Sequence, residues 1–156
     1  MKRILILLAT CLLAIGCVAS KRTLSLMGLW GGEFSLDAPS TTGIRPFKGF
    51  LRLFGNQKYQ LHLENTAQNF DLTGTWKLTT KRITFQVGKI DYQFPSELDQ
   101  QTLNLAVLPK DAIRTAFSRP FYLDLTDADK TLTGPSMDLG PLIGHQVFTK
   151  RKLDQG

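Results

Sequence analysis

The side chains that could bind a metal are sparse and poorly spaced. His62 and His145 are the two histidines of the 156-residue chain, and a zinc site would need them to converge with further ligands. Asp124, Asp127 and Asp129 lie close together, but they lack the spacing and the terminal Glu of a calcium loop. We therefore expect hydrogen-bonded or solvated histidines, a polar turn around the aspartates, and no metal or other cofactor.

The sequence also lacks a pattern for nucleophilic catalysis. Such catalysis needs a Ser, Thr or Cys beside a base that a third group orients. The chain contains no Gly-x-Ser-x-Gly segment and no glycine-rich phosphate loop. Paired carboxylates for glycoside chemistry stay open, although none of the 13 acidic residues forms a distinctive pair. We expect a protein that is not an enzyme and has no catalytic residues.

Cys17 is the residue with the clearest chemical use. Lys2 and Arg3 precede a nearly unbroken apolar stretch from Ile4 to Ile15, which is the plan of a secretory signal. That stretch is shorter than the roughly 20 residues that a helix needs to span a bilayer. Cleavage would remove Cys11 and leave Cys17 as a single thiol, which favours a modification that uses it.

The segment Leu13-Ala14-Ile15-Gly16-Cys17 resembles the bacterial lipobox, in which the cysteine is acylated and becomes the new N-terminus. The resemblance implies a signal peptide at 1–16, a lipidated tether at 17–27 and membrane anchoring through acyl chains on Cys17. The absence of Asp directly after the cysteine implies sorting to the outer membrane. Two alternatives stay open: a permanent anchor helix, and ordinary cleavage after Cys17-Val18-Ala19 that releases a soluble periplasmic protein.

After the tether, the dominant hydrophobic period is two, which is the period of a β-strand. Tyr59, Leu61 and Leu63 alternate with polar residues, and Gly55-Asn56 before them is a turn signal. The same alternation recurs after short turns as far as residue 94, and again at 121–126 and 145–150. A further strand is expected near 103–107, and residues 110–117 form the one stretch that favours a short helix.

The pattern predicts an all-β fold, in a single domain over 28–152 with at most one short helix. Its antiparallel meander would close into a small barrel of eight to ten strands, because closure removes the exposed edges that an open meander leaves. A β-sandwich is the alternative, but the connections are short and sequential, which favours an up-and-down barrel.

Both tryptophans follow the spacing Gly-x-Trp, in Gly28-Leu29-Trp30 and Gly74-Thr75-Trp76. The first segment resembles the lipocalin signature that opens the first barrel strand. The resemblance implies that Trp30 closes the barrel base against a basic side chain of the last strand, Arg151 or Lys150. Residues 51–85 also resemble the small barrel of a copper- and stress-sensing envelope lipoprotein. That family's Cys-x-x-Cys is missing, so no copper or redox role is implied.

Eight-stranded barrels are just wide enough to hold one small ligand. The aromatic residues that we expect to line an apolar cavity are Tyr59, Trp76, Phe85, Tyr92 and Phe121. The alternative is that these rings simply fill the core.

The formal charge of the chain is +6, but its basic residues are interspersed with acidic ones. Nucleic-acid binders cluster such charge on one face, so we predict dispersed charge and no nucleic-acid partner. The sequence favours a non-catalytic envelope lipoprotein that binds an apolar or amphiphilic ligand. The alternative is an interaction lipoprotein that docks on another envelope protein, including as an inhibitor of an envelope hydrolase, with the loop at 134–144 as a candidate surface.

Overall fold

The computed structural model describes residues 21–37, 43–102, 106–138 and 143–151. The strands are β1 (Gly28–Leu36), β2 (Phe47–Leu53), β3 (Lys58–Glu64), β4 (Asn69–Leu78), β5 (Arg82–Gln93), β6 (Phe121–Thr126), β7 (Thr131–Thr133), β8 (Met137–Asp138) and β9 (Ile143–Lys150). The helical segments are α1 (21–26), α2 (Glu97–Thr102) and α3 (Lys110–Ala116). The predicted signal peptide and Cys17 lie outside the described residues.

Eight strands form a closed antiparallel barrel in the order β1-β2-β3-β4-β5-β6-β7-β9. The pairing of β1 with β9, from Trp30 opposite Lys150 to Leu36 opposite Gly144, closes the ring. The two-residue strand β8 pairs with β9. Inward side chains such as Leu61 and Leu63 are buried, as the alternating pattern requires. The predicted all-β barrel is therefore confirmed.

Two glycines let neighbouring strands approach closely inside the wall. Gly32 on β1 lies directly opposite Gly49 on β2. A Cβ atom on Gly49 would collide with the carbonyl oxygen of His62, and one on Gly32 would collide with that of Val147. Both positions therefore need glycine for steric reasons.

The two ends of the barrel are built differently. One end, which we call the hairpin end, carries the turns at 54–57, 79–81 and 127–130, the start of β1 and the end of β9. The opposite end, the loop end, carries the longer connections between β1 and β2, between β5 and β6, and between β7 and β9. At the hairpin end, the predicted polar turn is present, with left-handed φ angles of 51° at Asp127 and 65° at Asp129.

Helix α1 covers the hairpin end and belongs to the folded domain. Leu26 is fully buried, and the Trp30 indole donates a 3.0 Å hydrogen bond to the Leu26 carbonyl. The Arg22 guanidinium forms a 3.0 Å ion pair with Asp129 and donates to the carbonyl of Thr80. The prediction of a tether that extends to residue 27 is therefore wrong over 21–27, because its apolar residue has a place in the core.

The helix expected near 110–117 is present as α3, but α1 and α2 were not predicted. Helix α2 lies in the connection between β5 and α3. The Ser96 hydroxyl accepts a 3.1 Å hydrogen bond from the backbone N–H of Asp99, and Glu97 and Asp99 lie in the first turn. These are the features of a stable helix start. Of the strand expected at 103–107, residues 103–105 lie outside the described residues, and 106–107 are not in a strand.

Among the described helices, none has both the length and the apolar character required to cross a membrane.

Candidate functional site

The barrel wall opens between β5 and β6. Strand β5 is 12 residues long, but its pairing with β6 covers Arg82 to Phe85. Beyond Phe85, strand β5 continues to pair with β4 through a register shift at Thr73 and Gly74. The described part of the wall therefore has a gap beside residues 86–93, on the side that faces the loop end.

The gap is covered by residues 106–117, which we call the cover segment. Leu108, Ile113 and Phe117 of this segment are buried in the core, and Ala112 and Ala116 pack against it. The cover segment thus completes an interior that the strands alone leave open.

Gln68, in the β3–β4 turn, holds the cover segment in place. Its side-chain amide donates a 3.2 Å hydrogen bond to the Leu108 carbonyl and accepts one of 2.5 Å from the Leu108 N–H. Gln68 is only 4% exposed and Leu108 1%. The pair of bonds satisfies both backbone groups of a buried residue, so its loss would leave them unpaired.

A continuous row of seven aromatic rings crosses the interior. Consecutive ring centroids lie 4.8 to 6.1 Å apart, within the range of favourable aromatic contacts. In order, the rings are those of Phe34, Phe47, Phe70, Phe117, Phe121, Phe85 and Tyr59. The row includes Phe117 from the cover segment, so displacing that segment would expose aromatic surface.

Tyr59 is the polar member of this row. Its hydroxyl is buried and finds no hydrogen-bond partner among the described residues. The ring lies 5.0 Å from Phe85 and 6.3 Å from Phe121, and a Cβ atom on Gly74 would lie 3.0 Å from its edge. Burial raises the pKa of the Tyr59 phenol. The site therefore presents a neutral, unsatisfied donor close to the point where β5 leaves β6.

The structure brings three of the five predicted cavity residues together, namely Tyr59, Phe85 and Phe121. Trp76 is opposite Phe85 on β4, but its indole donates a 3.1 Å hydrogen bond to a backbone carbonyl of the β2–β3 turn. Tyr92 is half-buried, with the Lys110 ammonium 5.3 Å from its ring.

Phe47 and Phe117 also belong to the aromatic row, although they were not among the residues expected to line a cavity. The spacing of Phe117 four residues after Ile113 was the available signal for Phe117, because residues four apart lie on the same side of a helical turn.

Trp30 packs against a basic side chain of the last strand, and this side chain is Lys150 rather than Arg151. The Lys150 ammonium lies 5.6 Å from the indole ring, and partial burial lowers its pKa. Arg151, predicted for this role, packs against Gly31 instead. The reason is the alternation of strands: neighbouring residues of the chain point to opposite faces, so only one of the two can reach Trp30.

The two histidines lie beside different aspartates. His62 Nδ1 lies 2.9 Å from Asp71, and its ring stacks on Phe50 with centroids 5.4 Å apart. His145 lies 2.5 Å from Asp37. Within the described ranges, no group of three or more His, Cys, Asp or Glu side chains is placed to hold a metal ion.

The outer surface carries two adjoining grooves of about 540 and 510 Å³. Glu33 and Lys48 line both grooves. The first extends along β2 to Arg45, and the second extends over β9 to Val147 and Arg151. The grooves combine charges of both signs with an exposed apolar residue, since Val147 is exposed.

The basic residues cluster at one end of the barrel, in contrast to the dispersed charge predicted from the sequence. Ten of the sixteen in the described ranges lie at the hairpin end, where three acidic residues accompany them. We call these ten the cationic rim: Lys21, Arg22, Arg52, Lys58, Lys77, Lys81, Arg82, Lys130, Lys150 and Arg151. The other described side chains include six basic and eight acidic ones. Charges that alternate along the chain thus separate in space, because the fold returns the chain to the same end at every second turn.

No protein-family model matches the chain, and no curated protein matches it.

Proposed function

We propose that this protein is a non-catalytic binding module that holds an apolar or amphiphilic ligand inside its barrel, and that acyl chains on Cys17 anchor it to the outer membrane. The observation that carries the binding proposal is the buried Tyr59 hydroxyl without a partner. A buried hydroxyl that makes no hydrogen bond lowers the stability of the fold, and a ligand oxygen beside it would remove this cost.

Three further features support the interior as the binding compartment. The aromatic row offers apolar surface, the gap between β5 and β6 offers an entrance, and the cover segment offers a means to close it. The contact between Trp30 and Lys150 also fits the resemblance to lipocalins, which enclose ligands in a barrel of this size.

The chemistry near Tyr59 favours a neutral ligand group. The interior surroundings of this side chain are aromatic, and an ion would lose its hydration there without gaining a counter-charge. Octanol, octanoate and octylammonium share one chain length and differ in charge, so they are suitable probes. Native mass spectrometry of the protein purified from membranes should show octanol bound in preference to both ions.

Tyr59→Phe tests the hydroxyl directly. It removes one oxygen and keeps the ring, so octanol affinity should fall roughly five-fold, which is the worth of one net hydrogen bond. Tyr92→Phe is the matched control, because Tyr92 is half-buried under Lys110. The octanol affinity of this control variant should equal that of the unaltered protein. If none of the three probes binds the unaltered protein, the barrel is a packed structural core and the binding proposal is wrong.

The lipid anchor needs its own test. Metabolic labelling with an alkyne fatty acid should label the protein, and Cys17→Ser should abolish the label. Cys11→Ser is the matched control and should leave it intact, because Cys11 departs with the signal. A label that persists in Cys17→Ser would contradict the lipobox assignment.

The outer grooves favour a second candidate function, docking on another envelope protein. Val147 is exposed beside Lys48 and Arg151 in one groove, which is a mixture of apolar and charged groups typical of interaction surfaces. A photocrosslinking residue at Val147 should then give one discrete adduct in intact membranes. The same photocrosslinking residue in place of Thr73, which is exposed on β4, should give no adduct. Equal adducts from both positions would argue against this candidate.

A further inference from the structure

The cationic rim surrounds exposed apolar side chains. Of the four large hydrophobic residues that are exposed in the described structure, two lie at the hairpin end: Leu24 on α1, at 58%, and Phe54 in the β2–β3 turn, at 37%. The sulfur of Met27 would lie 3.0 Å from a Cβ atom on Gly55, so the chain at the end of α1 lies against this turn. The Arg52 guanidinium lies 5.8 Å from the Phe54 ring.

Acidic groups at this end do not cancel the charge. Ten basic residues against three acidic ones leave a formal charge of +7. Two of the acids are already engaged, since Asp129 pairs with Arg22 and Asp124 with Arg82. The side chains of Lys58, Lys77 and Lys81 are exposed.

From these features we infer that the hairpin end is a docking surface for an anionic lipid bilayer. Basic side chains attract anionic headgroups, and apolar side chains among them enter the boundary between headgroups and acyl chains. This inference does not rest on the barrel binding a ligand.

The chain upstream of α1 favours lipid over nucleic acid as the occupant. Lys21 is the first described residue, and the apolar stretch Ile4–Ile15 and Cys17 precede it. Lys21 follows Cys17 by four positions, and four extended residues span at most about 14 Å. Either an acyl group or the apolar stretch would therefore bring the hairpin end, rather than the loop end, towards a bilayer.

Hydrogen exchange of the full chain, reconstituted in nanodiscs, tests the inference without a probe attached to the protein. We compare discs of neutral phosphatidylcholine with discs that also contain anionic phosphatidylglycerol. Amides of the turns at 54–57 and 79–81 should exchange more slowly in the anionic discs. Amides of the β3–β4 turn at 65–68, at the loop end, should not change. The difference should shrink as salt is added, because salt screens exposed charges.

A triple variant measures the role of charge. Lys58→Gln, Lys77→Gln and Lys81→Gln together should weaken surface contact on the order of a hundred-fold, at about five-fold per residue. Its matched control replaces Lys89, Lys110 and Arg119, three basic residues away from the hairpin end, with Gln. This control changes the net charge equally and should keep the protection.

Three results would overturn the inference. One is equal exchange of the hairpin-end turns in neutral and anionic discs. Another is an equal loss of protection in both triple variants, which would reflect net charge alone. The third is protection of the same turns by a short DNA duplex but not by anionic lipid, which would assign the rim to nucleic acid.

Discussion

Replacing Gln68 with Met should release the cover segment while the strands stay paired. Methionine has nearly the volume of glutamine, so the variant removes hydrogen bonds without opening a cavity. The Leu108 N–H and carbonyl, both bonded by Gln68 in a buried position, would lose their partners. Each of the two unsatisfied backbone groups costs about 1 to 3 kcal/mol, so the closed position of the segment should lose about 2 to 6 kcal/mol.

Hydrogen exchange measured residue by residue is the suitable assay. A loss of about 3 kcal/mol raises the opening equilibrium roughly 150-fold, so amides of α3 should exchange faster by that factor. Amides of β2 and β3 should change much less, because their ladder does not include the cover segment. Gln93→Met is the control: Gln93 is exposed and bonds the side chain of Asn69, and its loss should alter neither region.

Two outcomes would refute this reasoning. Unchanged exchange in α3 would mean that the two hydrogen bonds do not hold the segment. Equal acceleration in α3 and in β2–β3 would mean that the segment opens only when the whole barrel unfolds.

Three further predictions concern stability. Leu26→Ala should lower the free energy of unfolding by about 2 to 4 kcal/mol in urea denaturation, because Leu26, the last residue of α1, is fully buried; an unchanged midpoint would mean that α1 does not contribute to the core. Gly49→Ala should cost about 2 kcal/mol or more, since its Cβ meets backbone atoms that cannot move freely. Gly55→Ala should cost far less, since its closest neighbour is the flexible end of Met27. The third concerns pH: because the pKa of Tyr59 is raised in the folded state, the unfolded chain releases the phenol proton first, so stability is unaffected below about pH 10 and falls as the pH rises further. Above that pH, the free energy of unfolding of the unaltered protein should fall relative to that of Tyr59→Phe by up to about 1.4 kcal/mol per pH unit. Parallel plots of the free energy of unfolding against pH for the two proteins would contradict this.

Local patterns were enough to predict the barrel. Alternation in segments such as 58–64 specifies one buried face, and short turns between segments specify antiparallel neighbours. Predicting which residue lies over Trp30 would also have required the register of β1 against β9. A shift of one residue exchanges Lys150 for Arg151, and the pattern near the end of the chain does not fix that register.

The gap and the rim escaped prediction for different reasons. The gap depends on how far β5 extends beyond its pairing with β6. Hydrophobic alternation predicts where strands lie but not where their pairing stops. The rim follows from topology: in an up-and-down barrel, every second turn lies at the same end. The basic residues near 52–58, 77–82, 130 and 150–151 are spaced by that rule, so the sequence contained the signal once the strand order was assumed.

The seam between β1 and β9 has a consequence for how the protein matures. Trp30 and Lys150 are 120 positions apart in the sequence, so the ring cannot close until β9 has been made. Until then, β1 has an unpaired edge that is open to association with other chains, and contacts between such distant segments form slowly. A copy that stops after β7 would retain two such edges, and we expect the cell to lose it to aggregation or proteolysis.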